Sequence, residues 1–175
     1  MKQKRLVLGG GCFWCVEAVF LNVKGVISAQ SGYTGGLRPN PSYENICTGV
    51  TGHAEIVDIE YDSNIISLGE LLEIFFVIHD PTTLNAQGAD KGTQYRSVIY
   101  YDNEEEKNNI LSSIEKAQKN FTSKIVTEVS ELEEVYPAEV YHQNYYELNS
   151  EQGYCQVVIA PKLQKFMTTF PNMLG

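Results

Sequence analysis

A chain of 175 residues, 43% apolar and 11% aromatic, can bury one core, and one domain over 1–175 is expected. Its 22 acidic residues against 13 basic ones give a net charge of −9, which argues against nucleic acid, because phosphate contacts need clustered Lys and Arg. The longest apolar stretch, Ile74-Phe75-Phe76-Val77-Ile78, is far short of the about 20 residues a membrane span needs, and Leu6-Val7-Leu8 behind the basic start makes no signal-peptide core, so a cytoplasmic chain without membrane contact, monomeric by default, is expected.

Leu6-Val7-Leu8 reads as a strand that stops at Gly9-Gly10-Gly11. Beyond Cys12, the residues Phe13, Val16, Phe20 and Val23 recur at helical spacing, and Lys24-Gly25 closes that helix. Val26 to Gln30 is a candidate strand. Ser31 to His53, rich in Gly, Pro, Asn and Thr with Tyr33 and Tyr43 embedded, has loop composition, and loops of that length usually carry function. Ala54 to Tyr61 alternates as a strand, with Glu55, Val57, Ile59 and Tyr61 on one face and Ile56, Asp58 and Glu60 on the other. Glu55 therefore lies on the more apolar face.

Ser67 and Glu70 form a capping box for a helix running to Ile78, with Leu68, Leu71, Leu72, Phe75 and Ile78 along its inward stripe. A second loop, His79 to Gln94, leads to a strand over 96–101. A helix follows, capped by Asp102 or Asn103, with Ile110, Leu111, Ile114 and Ala117 inward. Ile125 to Val129 is predicted as a strand, Pro137 to about Leu148 as a helix, Tyr154 to Ala160 as extended, and Pro161 as the first residue of a terminal helix.

Cys12 falls at the strand-to-helix turn, where unpaired N–H groups and a partial positive charge are expected to lower a thiol pKa from about 8.5 to roughly 3.5–7.5. That makes Cys12 the candidate nucleophile. Cys12 and Cys15 form a C-x-x-C, yet Phe-Trp between them and glycines before them fit a thioredoxin-like redox pair poorly, and a buried helix thiol is the plainer reading of Cys15. No second C-x-x-C or close His pair completes a zinc site with Cys47, Cys155 or His53, so neither metal nor cofactor is expected. Trp14 stands where a dinucleotide fingerprint needs its third glycine, G-x-S-x-G is absent, and His53, His79 and His142 read as hydrogen-bonded structural histidines. Desolvation on its apolar strand face should raise the Glu55 pKa, so that it can act as a proton donor near neutral pH.

Gly10-Gly11-Cys12-Phe13-Trp14, Gly32-Tyr33-Thr34-Gly35-Gly36, Asn40-Pro41-Ser42-Tyr43, Gly52-His53-Ala54-Glu55 and Gly92-Thr93-Gln94-Tyr95-Arg96-Ser97 together resemble the A-type peptide methionine sulfoxide reductases. The resemblance runs in the family's order from about Leu6 to Tyr154. It implies an α+β fold, a two-layer α/β sandwich with a mixed sheet, a ferredoxin-like core and long functional loops. It also implies reduction of the S epimer of methionine sulfoxide, free or in proteins, as a repair of oxidative damage with thioredoxin as reductant.

Carried onto these residues, the resemblance makes Cys12 the nucleophile that becomes a sulfenic acid and Glu55 the general acid. Tyr43 and Tyr95 match positions that hold the sulfoxide oxygen, Asp90 one that supports that site, and Phe13 and Trp14 the wall around the sulfur-bound methyl. Gly153-Tyr154-Cys155 resembles the resolving motif, so Cys155 is the first candidate to condense with the sulfenic acid, and Cys15 is the alternative. A Cys12–Cys15 disulfide would require the first helical turn to relax. Cys47 is expected to be structural. The segment Asn149-Ser150-Glu151-Gln152 lacks the proline common there, and the tail lacks a glycine-rich stretch and a further cysteine, which excludes a relay ending beyond Cys155. Two other readings stay open: a thiol-disulfide oxidoreductase using Cys12 and Cys15, and a module that grips oxidised methionine without turnover.

Overall fold

The computed structural model describes residues 2–37, 39–48, 51–88 and 90–175; Met1 of the basic start and Arg38, Gly49, Val50 and Ala89 of the two predicted loops lie outside the described residues. Alternation along β1 (Gln3–Gly9) sends Leu6 and Leu8 to one sheet face and Val7 to the other, all three buried. Gly11, at the left-handed φ of 89°, turns the chain into α1 (Phe13–Phe20), and a Cβ there would lie 2.9 Å from the Gln87 side chain. α1 ends short of Val23, because the Asn22 side chain captures the Ala18 carbonyl at 2.8 Å and Val23 forms an isolated bridge with Leu174 instead.

β2 (Val26–Thr34) runs on through Ser31-Gly32-Tyr33-Thr34, which sequence composition had placed in a loop. The remainder of that loop carries α2 (Tyr43–Cys47), where Ser42 and Asn45 form a capping box. The continuation of β2 pairs antiparallel with β3 (Ala54–Asp62), Tyr33 opposite Glu55 and Thr34 opposite Ala54. α3 (Leu68–Ile78) starts at the predicted Ser67–Glu70 box. The second loop folds into a small hairpin of β4 (Ala86–Gln87) and β5 (Asp90–Lys91), followed by a 3₁₀ turn at Thr93–Tyr95 and β6 (Val98–Tyr101).

Asn103 caps α4 (Glu104–Gln118), its side chain accepting from the Glu106 N–H. Ile110 is buried and Ile114 and Ala117 half-buried, but Leu111, expected inward, is 44% exposed. The strand expected at Ile125–Val129 shifts to β7 (Glu128–Glu131), which runs parallel to β6, while the Ile125 N–H is taken by the Gln118 side chain.

Pro137 to Leu148 is not the predicted helix. It divides into β8 (Tyr136–Pro137), a 3₁₀ turn at Val140–His142, a left-handed Asn144 and the short α5 (Tyr145–Leu148). Side chains from this segment pair with residues far off in sequence: Glu139 accepts from the Tyr33 hydroxyl and the Tyr43 N–H, and Gln143 bridges Ser31 and Ala138. Tyr154 to Ala160 is not extended either. The β-branched Val157-Val158-Ile159 reads as strand, but Cys155 and Ile159, four apart and both fully buried, share one helical face, and Cys155–Ile159 forms a π-helical turn that runs into α6 (Ala160–Thr169).

The architecture is mixed α/β around a six-stranded sheet ordered β7-β6-β1-β3-β2-β8, antiparallel except for the β6–β7 pair. One face, with Leu6, Leu8, Val57, Ile59 and Ile99, joins the core built by the buried residues of α1 and α3. On the other, Val7, Ala54, Ile56, Val98 and Tyr100 are covered by Leu132 and Val135. Among the described residues, no helix is long and apolar enough to cross a membrane.

Candidate active site

The turn after β1 and the middle of β3 meet at one hydrogen bond. Cys12 is the N-cap residue of α1, and the next backbone N–H, on Phe13, donates to one carboxyl oxygen of Glu55 at 3.2 Å. Glu55 is 1% exposed, and its other oxygen has no hydrogen-bond partner among the described residues. Burial pushes its pKa up to about 8, against the pull of the Phe13 N–H, so the carboxyl is neutral at pH 7. The burial and raised pKa expected of Glu55 are both present.

The expectation of an acidic Cys12 is not met. Burial raises its thiol pKa well above the ordinary value; a hydrogen bond to Cys15 and the nearby Glu55 carboxyl push the same way, and the Trp14 N–H pulls back too weakly. The helix start is spent elsewhere, since the Phe13 N–H faces Glu55 and the Cys15 N–H bonds the Cys12 carbonyl. Cys15, buried as predicted, is the more acidic of the pair, lowered first by the Cys12 hydrogen bond and then by Lys162 and Tyr154. Cys155 is fully buried, its pKa raised by desolvation and by the neighbouring Cys15. The three thiols form one group, with α1 packed on the Cys155–Ile159 turn.

Tyr43 and Tyr95 are half-buried, and desolvation together with the Glu55 carboxyl keeps both phenols protonated, as hydroxyl donors. Cys47, expected to be structural, is exposed on α2 and lies against the Tyr43 hydroxyl. Asp90 accepts from the Tyr154 hydroxyl at 2.8 Å, and that hydroxyl also contacts Cys12 and Cys15. Phe13 is buried. Trp14 is half-buried and stacks flat on Tyr145, with centroids 3.8 Å apart and 7° between planes. A cavity of 1420 Å³ between α3, α4 and α6 touches Asp90 and Tyr154 but is not lined by Cys12, Glu55, Tyr43 or Tyr95.

The histidines are hydrogen-bonded as expected. His53 Nδ1 accepts from the Gly36 N–H, His79 bridges the Phe75 carbonyl and the Ser97 hydroxyl, and His142 Nδ1 accepts from the Trp14 indole. Among the described residues no group of three or more His, Cys, Asp or Glu is placed to hold a metal ion. A thiol, a buried neutral carboxylic acid, two phenol donors and an aromatic wall can attack a soft electrophile while protonating its leaving oxygen.

A family model described as peptide methionine sulfoxide reductase matches residues 4–173. The chain belongs to this family. A peptide methionine sulfoxide reductase MsrA from Polynucleobacter asymbioticus is 55% identical over 175 residues, covering 98% of this chain and 92% of that one. Mxr1 from Saccharomyces cerevisiae in reduced form superposes with a TM-score of 0.82 at 34% identity, over 88% of this chain and 90% of that one. A structure of Mxr1 in complex with Trx2 matches at 23% identity and a TM-score of 0.58, over 82% and 85%, a likeness of fold.

The sequence assigns no role in the site to three groups that this reductase packs against the candidate site residues. Tyr154 was visible only as a flank of Cys155. Glu139, which accepts from Tyr33, Tyr43 and Tyr141, and His142, which meets Phe13, Trp14 and Tyr43, lie three residues apart in a segment predicted as plain helix. The available signal was the crowding of Tyr136, Tyr141, Tyr145, Tyr146 and Tyr154 around them.

Proposed function

We propose that this reductase acts on the S epimer of methionine sulfoxide, free or in proteins, with Cys12 as nucleophile and Glu55 as general acid. The observation that carries the reading is the buried, neutral Glu55 carboxyl held by the N–H next to Cys12, with one oxygen unpartnered. Cys12 sulfur attacks the sulfoxide sulfur as the Glu55 proton passes to the sulfoxide oxygen and the thiol proton restores the carboxyl; the hydroxyl then moves onto the Cys12 sulfur as the new S–S bond breaks, its electron pair staying on the substrate sulfur, which gives a Cys12 sulfenic acid and methionine. Tyr43 and Tyr95 hold the oxygen, Asp90 supports them, and Phe13 and Trp14 face the methyl. A raised Cys12 pKa suits this order, because the thiol stays protonated until the substrate arrives.

A second thiol then condenses with the sulfenic acid, forming a disulfide and water. Cys155 holds this role by its motif. Cys15 is the alternative, because it lies one helical turn from Cys12 with its thiol against the Cys12 thiol. Thioredoxin is the proposed two-electron donor, in keeping with the Mxr1–Trx2 complex. The strand order β6-β1-β3-β2, with α1 and α3 following β1 and β3, supports a two-layer ferredoxin-like core. One monomeric domain in the cytoplasm suits four unpaired thiols, since a reducing compartment keeps them free.

The test is turnover of the separated epimers with dithiothreitol and with thioredoxin. S-specific reduction, lost in Cys12→Ser, with Cys155→Ser giving one turnover and no thioredoxin recycling, is the expected result. Recycling without Cys155 that is lost in Cys15→Ser transfers the resolving role to Cys15. Reduction of neither epimer overturns the reading.

A further inference from the structure

The reaction uses Trp14 as a wall, and a wall must be held in place. Stacking on Tyr145 fixes the plane of the indole but not its rotation within that plane, and the Tyr154 edge contact at 5.7 Å is non-directional. The indole has one hydrogen-bond donor, and it points at His142: Nε1 donates to Nδ1 at 3.0 Å. This bond sets the rotation. His142 is 1% exposed and wedged among aromatic rings, with centroids 5.2 Å from Phe13, 4.5 Å from Tyr43 and 4.2 Å from Tyr141.

We propose that His142 is a positioning residue that orients the Trp14 indole and thereby sets the preference for a sulfur-bound methyl over larger groups. The inference rests on the sulfoxide-reductase reading of the site. Because Nδ1 accepts, the imidazole is neutral and carries its proton on Nε2, an atom with no partner among the described residues. Burial keeps it neutral by lowering its pKa, with Glu139 and Glu44 opposing. The titratable groups that face it are Tyr43 and Glu44 from α2 and Glu139 and Tyr141 from its own segment, while α1 presents only the uncharged Phe13 and Trp14. Protonation would set donor against donor and release the indole.

The test uses two variants of the full chain. His142→Asn can offer an uncharged acceptor oxygen near the place of Nδ1, and His142→Phe keeps the flat ring without any acceptor. Trp14 is the chain's one tryptophan, so the emission reports the surroundings of this indole and of no other. The second readout is the ratio of kcat/KM for methionine sulfoxide over ethionine sulfoxide, which differ by one methylene.

In His142→Phe the ratio should fall roughly tenfold, the scale of one methylene in an apolar pocket, and the emission should shift. His142→Asn should keep the wild-type ratio and lose the emission change that wild type shows on acidification below the ordinary histidine range. Equal loss in both variants, or an unchanged ratio in His142→Phe, overturns the proposal. If His142→Phe does not fold, the acid-side emission change decides, and its persistence in His142→Asn overturns the proposal. Wild type that reduces neither sulfoxide refutes the underlying reductase reading instead.

Discussion

The Tyr154 hydroxyl donates to Asp90 at 2.8 Å while the Tyr154 ring stands edge-on to Trp14, so the residue before Cys155 is fastened to the group around Cys12. Cys155 itself is fully buried at the first position of a π-helical turn. A disulfide from Cys12 to Cys155 needs a specific geometry between the two thiols, so freedom of this turn bears on its formation. The fastening therefore ties the turn that carries Cys155 to the site.

Tyr154→Phe keeps the ring and removes the hydroxyl. Net stability should fall by about 0.5–1.5 kcal/mol, the usual worth of one hydrogen bond. Amide exchange at Cys155–Ile159 should accelerate more than exchange in β1 or β3. Uniform acceleration across the chain would show that the bond contributes stability without holding the turn.

Glu55→Gln should lower kcat by roughly 10²- to 10⁴-fold, the usual worth of a general acid, with a smaller effect on KM. Wild-type kcat should decline as pH rises through about 8, where the carboxyl loses its proton. Stability follows the same group. The folded pKa is raised, so the folded chain binds this proton more tightly than the unfolded one, and the contribution is full below the ordinary carboxylate range and lost as pH rises towards about 8. Glu55→Gln should remove that slope from a plot of Tm against pH. An identical slope in wild type and variant would place the raised pKa elsewhere.

Thiol labelling separates exposure from acidity. Cys47 is exposed and should alkylate first, whereas Cys12, Cys15 and Cys155 are buried and should follow slowly in the native state. At neutral pH, Cys12 should label more slowly than an ordinary free thiol, because burial holds it protonated. Mass spectrometry of the iodoacetamide-treated chain measures the order. Fast labelling of Cys12 would restore the low pKa that the helix start alone suggests.

What the sequence made legible was local. The Ser67–Glu70 box, the Asn103 cap and the alternation that buries Glu55 each depend on residues within a few positions of one another, and each appears in the fold. What it hid is long-range. Glu139 bonds Tyr33 across 106 positions and Tyr43 across 96, and no propensity predicts that such contacts will replace a helix over Pro137–Leu148. The Cys12 thiol shows the same division: its helix-start position is local and was read, while the burial and the Glu55 neighbour that reverse its acidity come from packing.

Glu17 offers a last check on how that long-range segment is held. It is a carboxyl on α1 with 1% exposure, accepting from the Ser31 hydroxyl at 2.9 Å and facing the backbone N–H groups of Asn144 and Tyr145. Burial raises its pKa, the hydrogen bonds opposing. Beside this carboxyl the left-handed Asn144 turns the chain, and Tyr145 stacks on Trp14. Glu17→Leu fills the space but strands the buried Ser31 hydroxyl, which should cost on the order of 1–3 kcal/mol. Tm should fall, and Trp14 emission should change as Tyr145 loses its seat. A destabilised variant with unaltered Trp14 emission would show that Glu17 supports the fold without setting the wall of the site.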